Sequence, residues 1–198
     1  MKLLIAAAAE RVRRHVETSI ATKQTLLAGD LDPILAAARL LVECLDGGGK
    51  LMLCGNGGSA ADAQHIAAEF TSTLSHHRPR PGMAAIAMTT DSSFLTAHSN
   101  DFGFAHIFER QVQALGRAGD VIVGFSTSGN SENVLCALQY ARANGMRTIG
   151  LTGEGGGKMA AVADVAIRVP SGVTQYIQES HIMIGHILCD LVEQSIHF

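Results

Sequence analysis

The stretch Val121-Ile122-Val123-Gly124-Phe125-Ser126-Thr127-Ser128-Gly129-Asn130-Ser131 constrains this chain more than any other. Its first half reads as a buried strand of a parallel sheet. It then breaks into hydroxyls and a glycine, and a helical pattern from Glu132 to Asn144 follows at once. A strand that stops in small hydroxyl residues at a helix start presents free backbone N–H groups, the positive end of the helix dipole and several O–H donors. That combination holds a phosphate. No group in the loop can move a proton at neutral pH, so the chemistry has to come from elsewhere in the chain.

The same strand–loop–helix alternation runs through most of the sequence. Apolar runs at 50–54, 83–88, 120–125, 147–152 and 165–169 read as five strands. Helical patterns at 60–74, 92–100, 105–115, 132–144 and 158–163 separate them, and a long helical pattern covers 174–197. Strands alternating with helices imply a parallel sheet covered on both faces. Two further helices precede it, at 4–27 and from Asp32-Pro33 to about residue 45, the second opened by a proline in its first turn and closed by Gly47-Gly48-Gly49. The expected organisation is one domain over 1–198, with a helical hairpin at 1–47 used in oligomerisation and an α/β sandwich at 48–198. Long helices rich in Ala, Leu and Ile beyond a complete sandwich bury their spare face against another copy.

The 198 residues allow a substantial core, and the net charge of −3 with 5% aromatics gives no nucleic-acid surface and no base-stacking platform. No apolar run reaches the roughly 20 residues that span a bilayer. The apolar start at 3–9 leads straight into Glu10-Arg11-Val12-Arg13-Arg14 and reads as a helix start rather than a signal peptide. Cys44, Cys54, Cys136 and Cys189 are widely spaced in apolar patterns, as reduced buried thiols of a cytoplasmic protein are.

Four constellations are candidates for chemistry. Gly55-Asn56-Gly57-Gly58-Ser59 follows a strand and lets a ligand approach the backbone closely, but it has neither dinucleotide-binding spacing nor a P-loop lysine. The helix it opens carries Asp62, His65 and Glu69 on one face, with His65 and Glu69 one turn apart and able to reach one metal ion. A surface salt bridge would look the same. The final helix carries Gln178, Glu179, His181 and His186 among apolar residues. Gln178 and His186 are about 12 Å apart along the axis, so spacing alone favours Gln178 with His181. The polar clusters Thr89-Thr90-Asp91-Ser92 and Ser99-Asn100-Asp101 either cap helices or reach sugar hydroxyls. His15, His76, His77, His98, His106 and His197 show no partner pattern and are expected at the surface or at caps.

The segments 55–65, 126–131 and 177–181 together resemble the sugar isomerase (SIS) domain family over essentially the whole chain, and within it the branch acting on sedoheptulose 7-phosphate. The resemblance implies a three-layer α/β/α, flavodoxin-like fold, a cytoplasmic homotetramer with sites near subunit interfaces, and a zinc ion in each subunit. It implies conversion of sedoheptulose 7-phosphate to D-glycero-D-manno-heptose 7-phosphate, the first step towards nucleotide-activated heptoses. It assigns the metal to His65, Glu69, Gln178 and His186, choosing His186 over His181. It assigns substrate contacts to Asn56, Gly57, Gly58, Glu69, Asn100, Asp101, Ser126, Thr127, Ser128, Ser131 and Gln178, and matches Asp62 in a possible accessory role. A site assembled from more than one chain would ease the conflict between His186 and the helical spacing.

Moving a hydrogen between C1 and C2 needs a base for the weakly acidic proton, an electrophile for the enolate oxygen and an acid for proton return. Glu69 is the expected base and His186 its acid/base partner. The main alternative implied by the same resemblance is a non-catalytic SIS protein that binds the replication initiator DnaA. A regulatory sugar-phosphate sensor and an isomerase of other sugar phosphates are further alternatives. The intact set of Asp62, His65, Glu69, Gln178 and His186 favours the isomerase.

Overall fold

A computed structural model describes residues 2–196, and His197, expected at the surface, lies outside them. Helices α1 (Lys2–Ala28) and α2 (Asp32–Asp46) form the hairpin, and an alternating series follows: β1 (Leu51–Gly55), α3 (Gly58–Thr71), β2 (Ala85–Ala87), α4 (Ser92–Phe102), α5 (Ile107–Leu115), β3 (Val121–Phe125), α6 (Glu132–Ala143), β4 (Arg147–Thr152), α7 (Met159–Val162), β5 (Val165–Arg168) and α8 (Thr174–Ser195). Every expected strand and helix is present. The ends shift by a few residues, and the helix expected from 105 is preceded by a 3₁₀ turn at Phe104–His106.

All four strand pairings are parallel, in the order β2-β1-β3-β4-β5. Alternate strand residues feed two cores. Leu51, Leu53, Val121, Val123 and Phe125 pack with α2, α3 and α8, whereas Met52, Cys54 and Ile122 pack with α5 and α6. This period of two on a sheet covered on both faces is why the strands read as unbroken apolar runs. Cys44, Cys54 and Cys189 are buried, Cys136 is half-buried, and all four are free thiols.

The strand order sets where a ligand sits. From β1 the chain moves outward to β2, then returns to β3 on the other side and continues to β4 and β5. The loops after β1 and β3 therefore diverge and open a crevice at the carboxyl ends of those strands, the place where such sheets bind ligands. Gly55 pairs with Phe125, so the glycine loop and the hydroxyl loop leave the sheet side by side.

On the hairpin, Val12, Val16, Ile20 and Leu27 of α1 are exposed. Contacts to α8 run through His15 with the Tyr176 hydroxyl (3.2 Å) and Lys23 with Glu179 (3.5 Å). Leu26, Leu31, Ile34, Met183, Ile187 and Leu191 line an apolar groove of about 450 Å³ between α1, α2 and α8.

Candidate active site

The glycine loop turns the chain from β1 into α3. Gly57, the N-cap of α3, has φ 58° and ψ −121°, a conformation in which a side chain is strained. Gly58 lies against Gln178 of α8: a Cβ there would stand 2.7 Å from Nε2, so the end of that flexible side chain would have to move. Asn56 exchanges two hydrogen bonds with Asn133 in the first turn of α6, Nδ2 to Oδ1 at 2.9 Å and 2.8 Å. This reciprocal pair ties the glycine loop to the helix behind the hydroxyl loop. Asn133 is buried and was not singled out in the sequence, where it looked like one more polar helix residue.

In the hydroxyl loop Ser126 Oγ lies 2.8 Å from Ser131 Oγ and 3.5 Å from Ser128 Oγ. Ser131 is the N-cap of α6, but its side chain makes no capping bond, so the first-turn N–H groups are not taken by it. Ser126 is buried, Thr127 and Ser128 are progressively more open, and Asn130 shapes the turn through Nδ2 to the Ser128 carbonyl (2.9 Å). The result is a cup of hydroxyls above a helix N-terminus.

Further along α3 the chain gathers its ionisable groups. Nε2 of His65 is 2.9 Å from Nε2 of His186 on α8 and 3.2 Å from Oε1 of Glu69. Donor atoms of all three lie within 4.8 Å of one another. Two imidazole nitrogens and a carboxylate oxygen converging on one point match the donor preferences of a borderline dication such as zinc. Asp62, one turn earlier, is half-buried with Oδ2 enclosed and without a hydrogen bond; burial pushes its carboxyl up to about 6, against an opposing pull from His65.

The structure separates the two histidines of α8. His186 faces α3, whereas His181 is fully buried against Phe125, with Nε2 3.2 Å from the Thr152 carbonyl. Burial lowers its pKa to about 4, so it is neutral. The spacing preference for Gln178 with His181 therefore fails. Gln178 packs against Gly58, nearer the start of α8.

The polar clusters after β2 divide. Asp91 caps α4 by accepting from the Phe94 N–H at 2.9 Å. Asn100 and Asp101 sit exposed in the last turn of α4, joined by a 2.8 Å bond from Nδ2 to Oδ1. A cleft of about 490 Å³ lies between α4 and the glycine loop, lined by Asn56, Gly57, Thr89, Thr96 and Ser99 among others.

Of the remaining histidines, His15 and His106 are exposed as expected, His106 at the N-cap of α5, although each has a partner: His15 packs on Tyr176 and His106 pairs with Glu109 at 2.7 Å. The expectation is corrected at His98, which is half-buried between Phe94 and Phe102. Cys136 joins His106 and Glu109 in a second group of donors within 4.8 Å. Its thiol is pushed up, first by burial and then by Glu109 and Glu132, and His106 and Glu109 already satisfy each other.

Residues 14–153 match the SIS domain family. A phosphoheptose isomerase from Rhodospirillum rubrum is 58% identical over 170 residues, covering 85% of this chain and 89% of that protein. A phosphoheptose isomerase from Aneurinibacillus thermoaerophilus is 50% identical over 187 residues, 93% of each chain. The solved phosphoheptose isomerase of Neisseria gonorrhoeae superposes with a TM-score of 0.88 at 49% identity, covering 93% of this chain and 98% of that one.

Proposed function

Because the chain belongs to the SIS domain family, with phosphoheptose isomerases as its relatives at 50–58% identity over most of their length, we propose that it isomerises sedoheptulose 7-phosphate to D-glycero-D-manno-heptose 7-phosphate at the His65, Glu69 and His186 cluster. The observation that carries this reading is the convergence of those three side chains from two helices at 4.8 Å or less. They stand about 10 Å along α3 from the glycine loop, by the rise from residue 58 to 65. A sugar whose phosphate occupies the cup at 126–131 can present its other end to them.

The phosphate binds the hydroxyls of Ser126, Thr127, Ser128 and Ser131 and the N-terminus of α6. Its binding energy holds the open-chain sugar in register. Asn56, Gly57 and Gly58 line the crevice, and Asn100 and Asp101 reach the sugar hydroxyls from α4. The Glu69 carboxylate removes the proton from C1 of the ketose, exchanges it with solvent and delivers a proton to C2 of the enediol, and His186 moves the proton between the two oxygens. Asp62 is an accessory group whose raised pKa keeps part of it protonated near pH 6. His65, Glu69 and His186, with Gln178 as fourth ligand, would hold a zinc ion. When bound, it supplies Lewis-acid stabilisation of the charge that develops on the sugar oxygens. Gln178 and His186 are separated by about 12 Å along α8, and a neighbouring copy supplying Gln178 would satisfy both.

The chain works as a homotetramer in the cytoplasm, with sites near the interfaces, in the first step towards nucleotide-activated heptoses for surface polysaccharide. The exposed apolar residues of α1 and the groove between α1, α2 and α8 support the helical hairpin as the assembly surface. Among the described residues no helix is long and apolar enough to cross a membrane. Incubation with sedoheptulose 7-phosphate, followed by NMR with and without a chelator, tests the reading. Formation of the aldose that stops on chelation and resumes with zinc is expected. Absence of turnover contradicts the substrate, and indifference to chelation contradicts the metal.

A further inference from the structure

Arg80 lies in the loop after α3, and its guanidinium is almost wholly enclosed. Nε donates to Oε1 of Glu193 on α8 at 2.7 Å, and the two side chains are 4% and 3% exposed. Nη2 donates to the backbone carbonyl of Glu69 at 2.7 Å. Nη1 reaches the carbonyls of Phe70 (2.9 Å), Pro81 (3.0 Å) and Ser72 (3.2 Å). The same Glu193 oxygen accepts the Leu74 N–H at 3.0 Å.

This contact fills a specific need. The last carbonyls of a helix have no partner within it and carry the negative end of its dipole. The last turn of α3 contains no basic residue, so Arg80 brings the charge from outside. It grips the carbonyl of Glu69 itself, while Glu193 stands two turns beyond His186 on the opposing helix. Helices α3 and α8 run side by side in the same direction and are joined at three levels: Gly58 with Gln178, Ile66 with Gly185, and finally the bridge that the loop residue Arg80 makes from the Glu69 carbonyl to Glu193. A Cβ at Gly185 would stand 2.5 Å from Ile66 Cδ1, so the helices meet closely just where His65 faces His186. The first two levels fix how near the helices lie. Only the third bonds the backbone of one to a side chain of the other through a fixed planar fork.

We propose that Arg80, held by Glu193, is a positioning residue for the isomerisation: it locks the last turn of α3 against α8 and so sets the Glu69 carboxylate opposite His186. The inference rests on the reading of Glu69 and His186 given above. Outer partners that orient metal-binding or catalytic groups are worth roughly 10- to 100-fold in affinity or activity. A contact that only held the fold together would be worth nothing once the protein is folded.

The surroundings are dry, as the neighbouring Cys189 thiol shows; burial, followed by Glu193, pushes it up to about 12. Removing one charge alone would leave the other buried and unpaired. The test therefore uses the double variant Arg80→Leu/Glu193→Leu, which removes both charges, and Arg80→Lys, which keeps one cation opposite Glu193 but lacks the fork. Each is compared with Arg78→Ala, which breaks the exposed 3.3 Å pair between the same loop and Asp190 of α8. Folding is checked by circular dichroism, turnover by kcat and KM, and zinc affinity by competition with a fluorescent chelator.

The expected result is a folded protein whose kcat and zinc affinity fall by roughly 10- to 100-fold in the double variant and by a smaller factor in Arg80→Lys. KM for the sugar phosphate should stay within about twofold, because the phosphate cup sits on β3 and α6, and Arg78→Ala should match wild type. If the double variant does not fold, Arg80→Lys alone decides: wild-type kcat and zinc affinity in it overturn the inference. So does a folded double variant with wild-type values, or a loss confined to KM. Glu69→Gln, assayed in parallel, separates the two claims. If it turns over normally, the reading of the site fails whatever Arg80 does; if it is inactive while the Arg80 variants are normal, only the positioning role fails.

Discussion

His65 and His186 face each other through their Nε2 atoms at 2.9 Å, although 121 residues separate them in the chain. One nitrogen can donate to the other only in one pairing of tautomers, and both become donors if the rings are charged. Neutral rings aiming two lone pairs at a shared point, with the Glu69 carboxylate beside them, form a donor set suited to a cation.

Ser128→Ala removes the most open hydroxyl of the cup proposed to hold the phosphate. A hydrogen bond to a charged group contributes about 1.5–3 kcal/mol, so KM should rise roughly tenfold or more with kcat little changed. Steady-state kinetics give the answer, and an unchanged KM would disconnect this loop from the phosphate.

Gly58→Ala adds a methyl group 2.7 Å from Nε2 of Gln178. Alanine favours a helix over glycine by about 1 kcal/mol, so thermal stability should hold or rise. Turnover should fall roughly tenfold, because Gln178 has to move. Normal activity in a stable variant would remove Gln178 from the site.

Asn133→Ala leaves the Asn56 amide without its reciprocal partner. Asn56 is half-buried, so its unpaired amide costs about 1 kcal/mol, the low end of the range for a buried polar group. Urea unfolding should show that loss, and KM should rise as the glycine loop loosens from α6.

His181 makes stability depend on pH in a definite direction. Its folded pKa, about 4, lies below the ordinary value of 6.5. Between those values the unfolded chain binds a proton that the folded chain refuses, so stability falls as pH falls through this window and is flat in this term above it. The slope is on the order of 1 kcal/mol per pH unit. His181→Gln should show a shallower decline from pH 7 to 5 in denaturant titrations; an equal slope would assign the acid sensitivity to another group.

Most of the architecture was legible because the central strands β1, β3 and β4 are buried almost throughout and run into glycine or hydroxyl residues, as Val121 to Ser131 do, whereas the edge strands β2 and β5 are only partly buried. The site was legible in part. Asp62, His65 and Glu69 share a helix face that period alone reveals. The choice between His181 and His186 was not available from spacing, because which side of α8 meets α3 depends on Ile66 meeting Gly185. Asn133, Arg80 and Glu193 were missed for a similar reason. Their partners lie 77 residues away for Asn133 and 113 apart for the ion pair, and nothing local marks a polar residue that will be buried.

The most direct measurement follows the isomerisation of sedoheptulose 7-phosphate in D₂O by NMR with wild-type protein and with Glu69→Gln. If the Glu69 carboxylate carries the proton, wild type yields the aldose with solvent deuterium at C2, and the folded Glu69→Gln protein neither forms product nor exchanges substrate hydrogen at C1. Turnover and deuterium incorporation at the wild-type rate in Glu69→Gln would contradict the account.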